Sequence, residues 1–141
     1  MSVDINYWGV LLAGVSSMVV GFIWYARGVF GKTWGKLAGI KMEGRPTMAN
    51  MAPLLGLTFV ASLITAYILA HFVFLSHHFF GGSWLSSGLT TAFWAWLGFT
   101  ATRMLTHDLF EGRRKKLTML NWGNELVTLV VMGLIIGWLH P

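Results

Sequence analysis

Hydrophobic positions in this chain fall in long unbroken runs. Residues 5–26, INYWGVLLAGVSSMVVGFIWYA, contain no charge. Residues 51–75 are apolar apart from His71, and residues 84–102 are again uncharged. Residues 117–139 carry a single charge, Glu125. At a helical rise of about 1.5 Å per residue, each run is long enough to cross a hydrocarbon core of about 30 Å. The pattern predicts an all-α fold: an integral membrane bundle of four transmembrane helices, with spans at about 5–26, 51–75, 84–104 and 117–139. Residues 1–141 then form a single transmembrane domain.

The polar stretches between the runs add detail. In VFGKTWGKLAGIK, Phe30, Trp34 and Leu37 recur at helical spacing while Lys32 and Lys36 fall elsewhere on the wheel. That pattern suits a short helix lying in a membrane interface, although Gly31 and Gly35 weaken it. Asn50 is placed to cap the second span, with Pro53 tolerated in its first turn. The first run is read as a retained helix, because its basic residues follow it instead of preceding it.

Charge fixes an orientation. Arg27, Lys32, Lys36, Lys41 and Arg45 lie between spans one and two; Arg103 and Arg113–Lys116 end span three or join it to span four. The termini and residues 76–83 hold no Lys or Arg. Under the positive-inside rule both basic loops are cytoplasmic and both termini lie outside. The net charge of +5 is therefore an orientation signal and gives no reason to expect nucleic acid. Lys32, Lys36, Arg113, Arg114, Lys115 and Lys116 are also placed to meet anionic lipid heads, at about 1 kcal/mol each.

Composition agrees. The chain is 55% hydrophobic and 11% charged, against about 25% charged in soluble domains. With no cysteine it has no disulfide, thiolate metal site or Cys nucleophile.

Small residues four apart let membrane helices approach closely. Ala13, Ser17 and Gly21 form such a line on span one, and Ser62, Ala66 and Ala70 one on span two. Gly88 and Ala92 start one on span three, and Gly133 and Gly137 form one on span four. Each line alone is better explained by packing inside one bundle; together they leave room for a homo-oligomer.

Span four also carries a polar stripe. Asn121, Asn124, Glu125 and Thr128 are spaced i, i+3, i+4 and i+7 and share one helix face. Glu125 sits about 12 Å from the helix start, below the headgroups. Its obvious partner is Arg103, which ends span three and lies at similar depth across the hairpin. Paired, the two form a structural link. Unpaired, Glu125 is an intramembrane proton or ion site.

His71, His77 and His78 gather near the outer loop, but adjacent histidines point apart and no acid completes a ligand set, so no metal is expected. His107, Asp108 and Glu111 read as a solvated turn. The chain shows no nucleophile–base pair, phosphate loop or metalloprotease motif, so neither an enzyme nor a cofactor is expected.

The opening, with its Asn-Tyr-Trp entry, Gly-Phe-x-Trp-Tyr exit and Phe-Gly-Lys-x-Trp sequel, resembles the DUF1761 family of small four-helix bacterial membrane proteins. The second half is similar too: Phe-Glu-Gly-Arg in the hairpin and Met-Gly-x-Ile-x-Gly-Trp at the last exit. The resemblance implies a multi-pass protein of the bacterial cytoplasmic (inner) membrane and supplies no activity. The favoured expectation is a structural or regulatory, self-associating membrane protein. The alternative is a small transporter or channel component using Glu125.

Overall fold

The computed structural model describes residues 3–39 and 48–141. Every regular element among them is helical. The first helix, α1, spans Tyr7–Trp24. Asn6 starts it: its side-chain oxygen accepts from the backbone N–H groups of Trp8 (3.0 Å) and Gly9 (3.3 Å), which have no partner within the helix.

A tight turn leads to α2, Gly31–Ala38, the short helix expected after the first run. Gly31 and Gly35 are both buried. A Cβ at Gly31 would run into the carbonyl oxygens of Tyr25 and Ala26. Gly39, at φ 69°, closes the helix.

The next helix, α3, spans Met48–Phe80, and its 33 residues reach about 50 Å. It corrects three expectations. Asn50 is not a cap but lies in the first helical turn. Pro53 sits inside the helix, where its missing N–H leaves the Ala49 carbonyl unbonded; Ala49 is exposed, so that omission is tolerated. His77 and His78 belong to the last turn of α3, not to a loop. The apolar Phe79 and Phe80 carry the helix on, and it ends only at Gly81 and Gly82, whose φ values of 72° and 90° favour glycine.

The fourth helix, α4, spans Trp84–Ala95 and is capped by Ser83, whose hydroxyl oxygen accepts from the Ser86 N–H (3.1 Å). It passes directly into a π-helical segment, Trp96–Ala101, and then into α5, Thr102–Phe110. The third run is thus a composite path that continues past 104. Gly112, at φ 65°, turns the chain into α6, Lys115–Trp138.

Among the described residues, three helices are long and apolar enough to cross a membrane: Tyr7–Trp24, Ala49–Phe80 and Lys115–Trp138. The third run falls outside that set because α4 has only 12 residues, about 18 Å, before the π-turns begin.

The last helix, α6, touches every other helical element. It runs antiparallel to α1, since Gly9 lies by Leu139 and Trp24 by Gly123, and antiparallel to α4, since Gly88 lies by Gly133. In the interior, Ala13, Ala66 and Ala92 are each 0% exposed and sit beside the larger Val73 and Met132, while Phe22, Leu57 and Phe99 point outward. So many large apolar side chains on the outside are unlike a water-soluble surface.

The small-residue lines find their partners within the chain. Ser17 and Ser62 meet at 3.0 Å between their hydroxyls, joining α1 to α3. The Gly88–Ala92 line faces Gly133, and Gly137 faces the Trp84 carbonyl, so the lines on α4 and α6 are two sides of one seam. Gly21 departs from expectation. One turn beyond the Ser17–Ser62 contact, it faces open space with nothing within 4 Å of a Cβ placed there.

Candidate functional site

The polar stripe lies on α6, the helix that touches every other element. Its members share a spacing but not an environment. Asn124 and Thr128 face inward, at 6% and 9% exposed. Asn121 and Glu125 are only partly buried. Tyr25, which ends α1, donates its phenol O–H to Asn121 Oδ1 at 3.3 Å. Asn121 lies one helical turn before Glu125, so this bond brings Tyr25 to the stripe.

Arg103 does not join this group. It is exposed, and among the described residues the ion pairs run from Arg113 to Asp108 and Glu111, with none reaching Glu125. The reason lies in the π-segment between α4 and α5. A π-turn closes one residue later than an α-turn, so everything beyond it is rotated by about 100°. Similar depth across the hairpin therefore does not bring the two side chains to the same face.

Aromatic side chains surround the stripe. The Trp24 ring packs over Gly123, where a Cβ would stand 2.9 Å from Cζ2. Trp96, in the π-segment, donates its indole N–H to the Trp122 carbonyl at 3.2 Å. The indole N–H groups of Trp24 and Trp122 and the amide nitrogen of Asn124 are buried with no partner among the described residues. Such donors are the groups that ordered water satisfies. A carboxylate with no counter-cation among the described residues, near a phenol, amides and indole donors, is equipped to take up and release a proton. Sequence spacing found the α6 residues but missed Tyr25, Trp24 and Trp96. These come from other elements, and only the antiparallel pairing of α1 and α6 brings Tyr25 level with Asn121.

The family model described as a protein of unknown function, DUF1761, matches residues 8–137. The chain belongs to the DUF1761 family. The match takes in Tyr25, Arg103, the whole polar stripe and the glycine seam. No curated protein and no solved structure matches the chain.

The other residues singled out in this DUF1761 chain are dispersed. His71 Nδ1 lies 2.9 Å from the Tyr67 carbonyl, away from the other two imidazoles; His77 stacks on Trp84 at 3.7 Å, His78 on Phe74 at 4.0 Å, and the His77 and His78 rings lie 5.6 Å apart. Lys32, Lys36, Arg114, Lys115 and Lys116 are exposed at one end of the bundle. Arg113 is engaged, at 2.6 Å from Glu111 and 3.6 Å from Asp108. Asp108 corrects the reading of a solvated turn. It is 7% exposed and accepts a 2.5 Å hydrogen bond from the Thr118 hydroxyl. Because α5 runs on to Phe110, Asp108 faces the first turns of α6 instead of water.

Proposed function

We propose that this is an integral membrane protein of four spans, with both termini outside and the basic end in the cytoplasm. Its role is structural or regulatory, it self-associates, and Glu125 is its proton-responsive site. The observation that carries the site is the absence of an ion pair at Glu125 among the described residues, on the helix that touches every other element. A change of charge there reaches α1 through Tyr25 and Asn121. The composite third run counts as the fourth span because its helical path from Trp84 to Phe110 is continuous.

A second reading, a small transporter or channel component with Glu125 as its proton or ion site, is favoured by the same carboxylate, which has no ion pair among the described residues, and by its neighbours Trp24, Trp122 and Asn124, whose buried donors have no partner among those residues. Proteoliposomes carrying a pH-sensitive dye separate the two. The regulatory reading expects no proton or cation flux above protein-free vesicles, in wild type and in Glu125→Gln alike. Flux that Glu125→Gln abolishes would replace it with the transport reading.

A further inference from the structure

Away from Glu125, α3 and α4 leave a groove between them. Its part near the chain termini, about 540 Å³, is lined by the hydroxyl side chains Ser76, Ser86, Ser87, Thr90 and Thr91, with Phe72, Trp94 and Phe99 along its walls. Phe72, Ala95 and Phe99 also line a second part of about 380 Å³, which runs on past Ile64, Ile68 and Leu69 to Leu129 and Thr100. The two parts form one channel along the helices. One end is rich in hydroxyls and the other is mainly hydrocarbon, and no charged side chain lines either.

Three features point to the occupant. The rise from Ser86 to Thr100 is about 21 Å, close to one leaflet with its headgroup region, half of about 40–45 Å. The hydroxyl end lies at the level of Ser83, where α4 begins and a leaflet surface would lie, and the apolar end lies where acyl chains would lie. The Thr91 hydroxyl is buried with no partner among the described residues, whereas Thr90 and Thr65 return theirs to carbonyls of their own helices. A second copy of the chain would meet the groove with helix side chains and leave the hydroxyl donors without matched acceptors. Ester and phosphate oxygens are such acceptors. The π-segment, a feature common at functional sites, lines the groove through Phe99 and Thr100.

We propose that this groove is a binding site for one glycerophospholipid of the leaflet on the side of the termini, held by its ester region at the hydroxyl end and by one acyl chain along the apolar end. The proposal rests on the membrane reading above. Recognition is by acceptor oxygens and shape, so headgroup charge does not matter.

The test uses the full chain in mild detergent, titrated with dioleoylphosphatidylcholine and observed by native mass spectrometry. Wild type is expected to keep one lipid through collisional removal of detergent. Ser86→Ala with Thr91→Val removes two hydroxyls and keeps the shape, and should weaken retention about tenfold. Ala95→Phe, which fills the channel, should abolish it. Equal retention in wild type and in the hydroxyl variant would overturn the proposal. So would a shift between monomer and dimer with lipid content unchanged, which would make a second copy the occupant. A chain that stays monodisperse without detergent, checked before any lipid is added, would remove the membrane reading itself.

Discussion

Gly133→Ala should destabilise the bundle by about 1–3 kcal/mol, at the upper end of that range for overpacking, and Gly133→Leu should prevent assembly. A Cβ on Gly133 meets the Gly88 carbonyl oxygen and stands 2.8 Å from the Ala92 Cβ; a Cβ on Gly88 meets the Gly133 carbonyl in return. The obstructing atoms are mostly backbone, which cannot rotate aside as a side chain would. Relief therefore requires α4 to move away from α6, and the seam continues one turn on, where Gly137 lies against Trp84. Gly21→Ala is the control. It adds a methyl group facing open space, so only the helix preference of alanine over glycine remains, worth about 0.5–1 kcal/mol in favour of the variant. Thermal melts followed by circular dichroism in detergent measure both. Equal melting of Gly133→Ala and wild type would mean that the seam is looser than described.

Asp108→Ala should cost about 1–3 kcal/mol, because it leaves the buried Thr118 hydroxyl without its acceptor. The ion pair with Arg113 adds little, since Arg113 is half exposed, its Nε lies 3.6 Å away and Glu111 offers it a nearer carboxylate. The loss therefore belongs to the hydrogen bond. Adding Thr118→Val to Asp108→Ala should recover part of it, because no polar group then remains without a partner. Arg113→Gln should change the melting temperature only slightly. A loss in Arg113→Gln as large as in Asp108→Ala would assign the clamp to the ion pair. The link ties the end of α5 to the start of α6, so its failure should loosen the hairpin that supports the Glu125 end of the bundle.

These two sites show what the sequence reveals and where it stops. The apolar runs were visible because α-helices long enough to cross a bilayer leave an uninterrupted stretch, and three of them stand as single helices. The glycines of the seam were visible as lines at four-residue spacing. Which line met which was not, because small residues carry no mark of their partner; Gly21 satisfied the same spacing as Gly133 and packs against nothing. Asp108 was misread because the end of α5 was placed near 104. One more turn of helix moves the residue from solvent to the flank of α6. Arg103 was misjudged for a related reason. The π-segment that rotates it has no compositional signature in WLGFTA, so the facing of everything beyond it was out of reach. Glu125 itself was legible as an anomaly in an apolar run, whereas its neighbour Tyr25 lies in another helix and becomes relevant only once α1 and α6 are paired.

The most direct test of Glu125 is a pair of double-mutant cycles on thermal stability, run from mildly acidic to mildly alkaline pH. One cycle joins Glu125→Gln to Tyr25→Phe, the other joins it to Arg103→Gln. Tyr25 and Glu125 should be coupled by about 0.5 kcal/mol or more, and Arg103 and Glu125 should be additive within about 0.5 kcal/mol. Any pH dependence assigned to the site should vanish in Glu125→Gln and persist in Arg103→Gln. Strong coupling to Arg103, with none to Tyr25, would contradict the unpaired carboxylate and return Glu125 to the role of a structural ion pair.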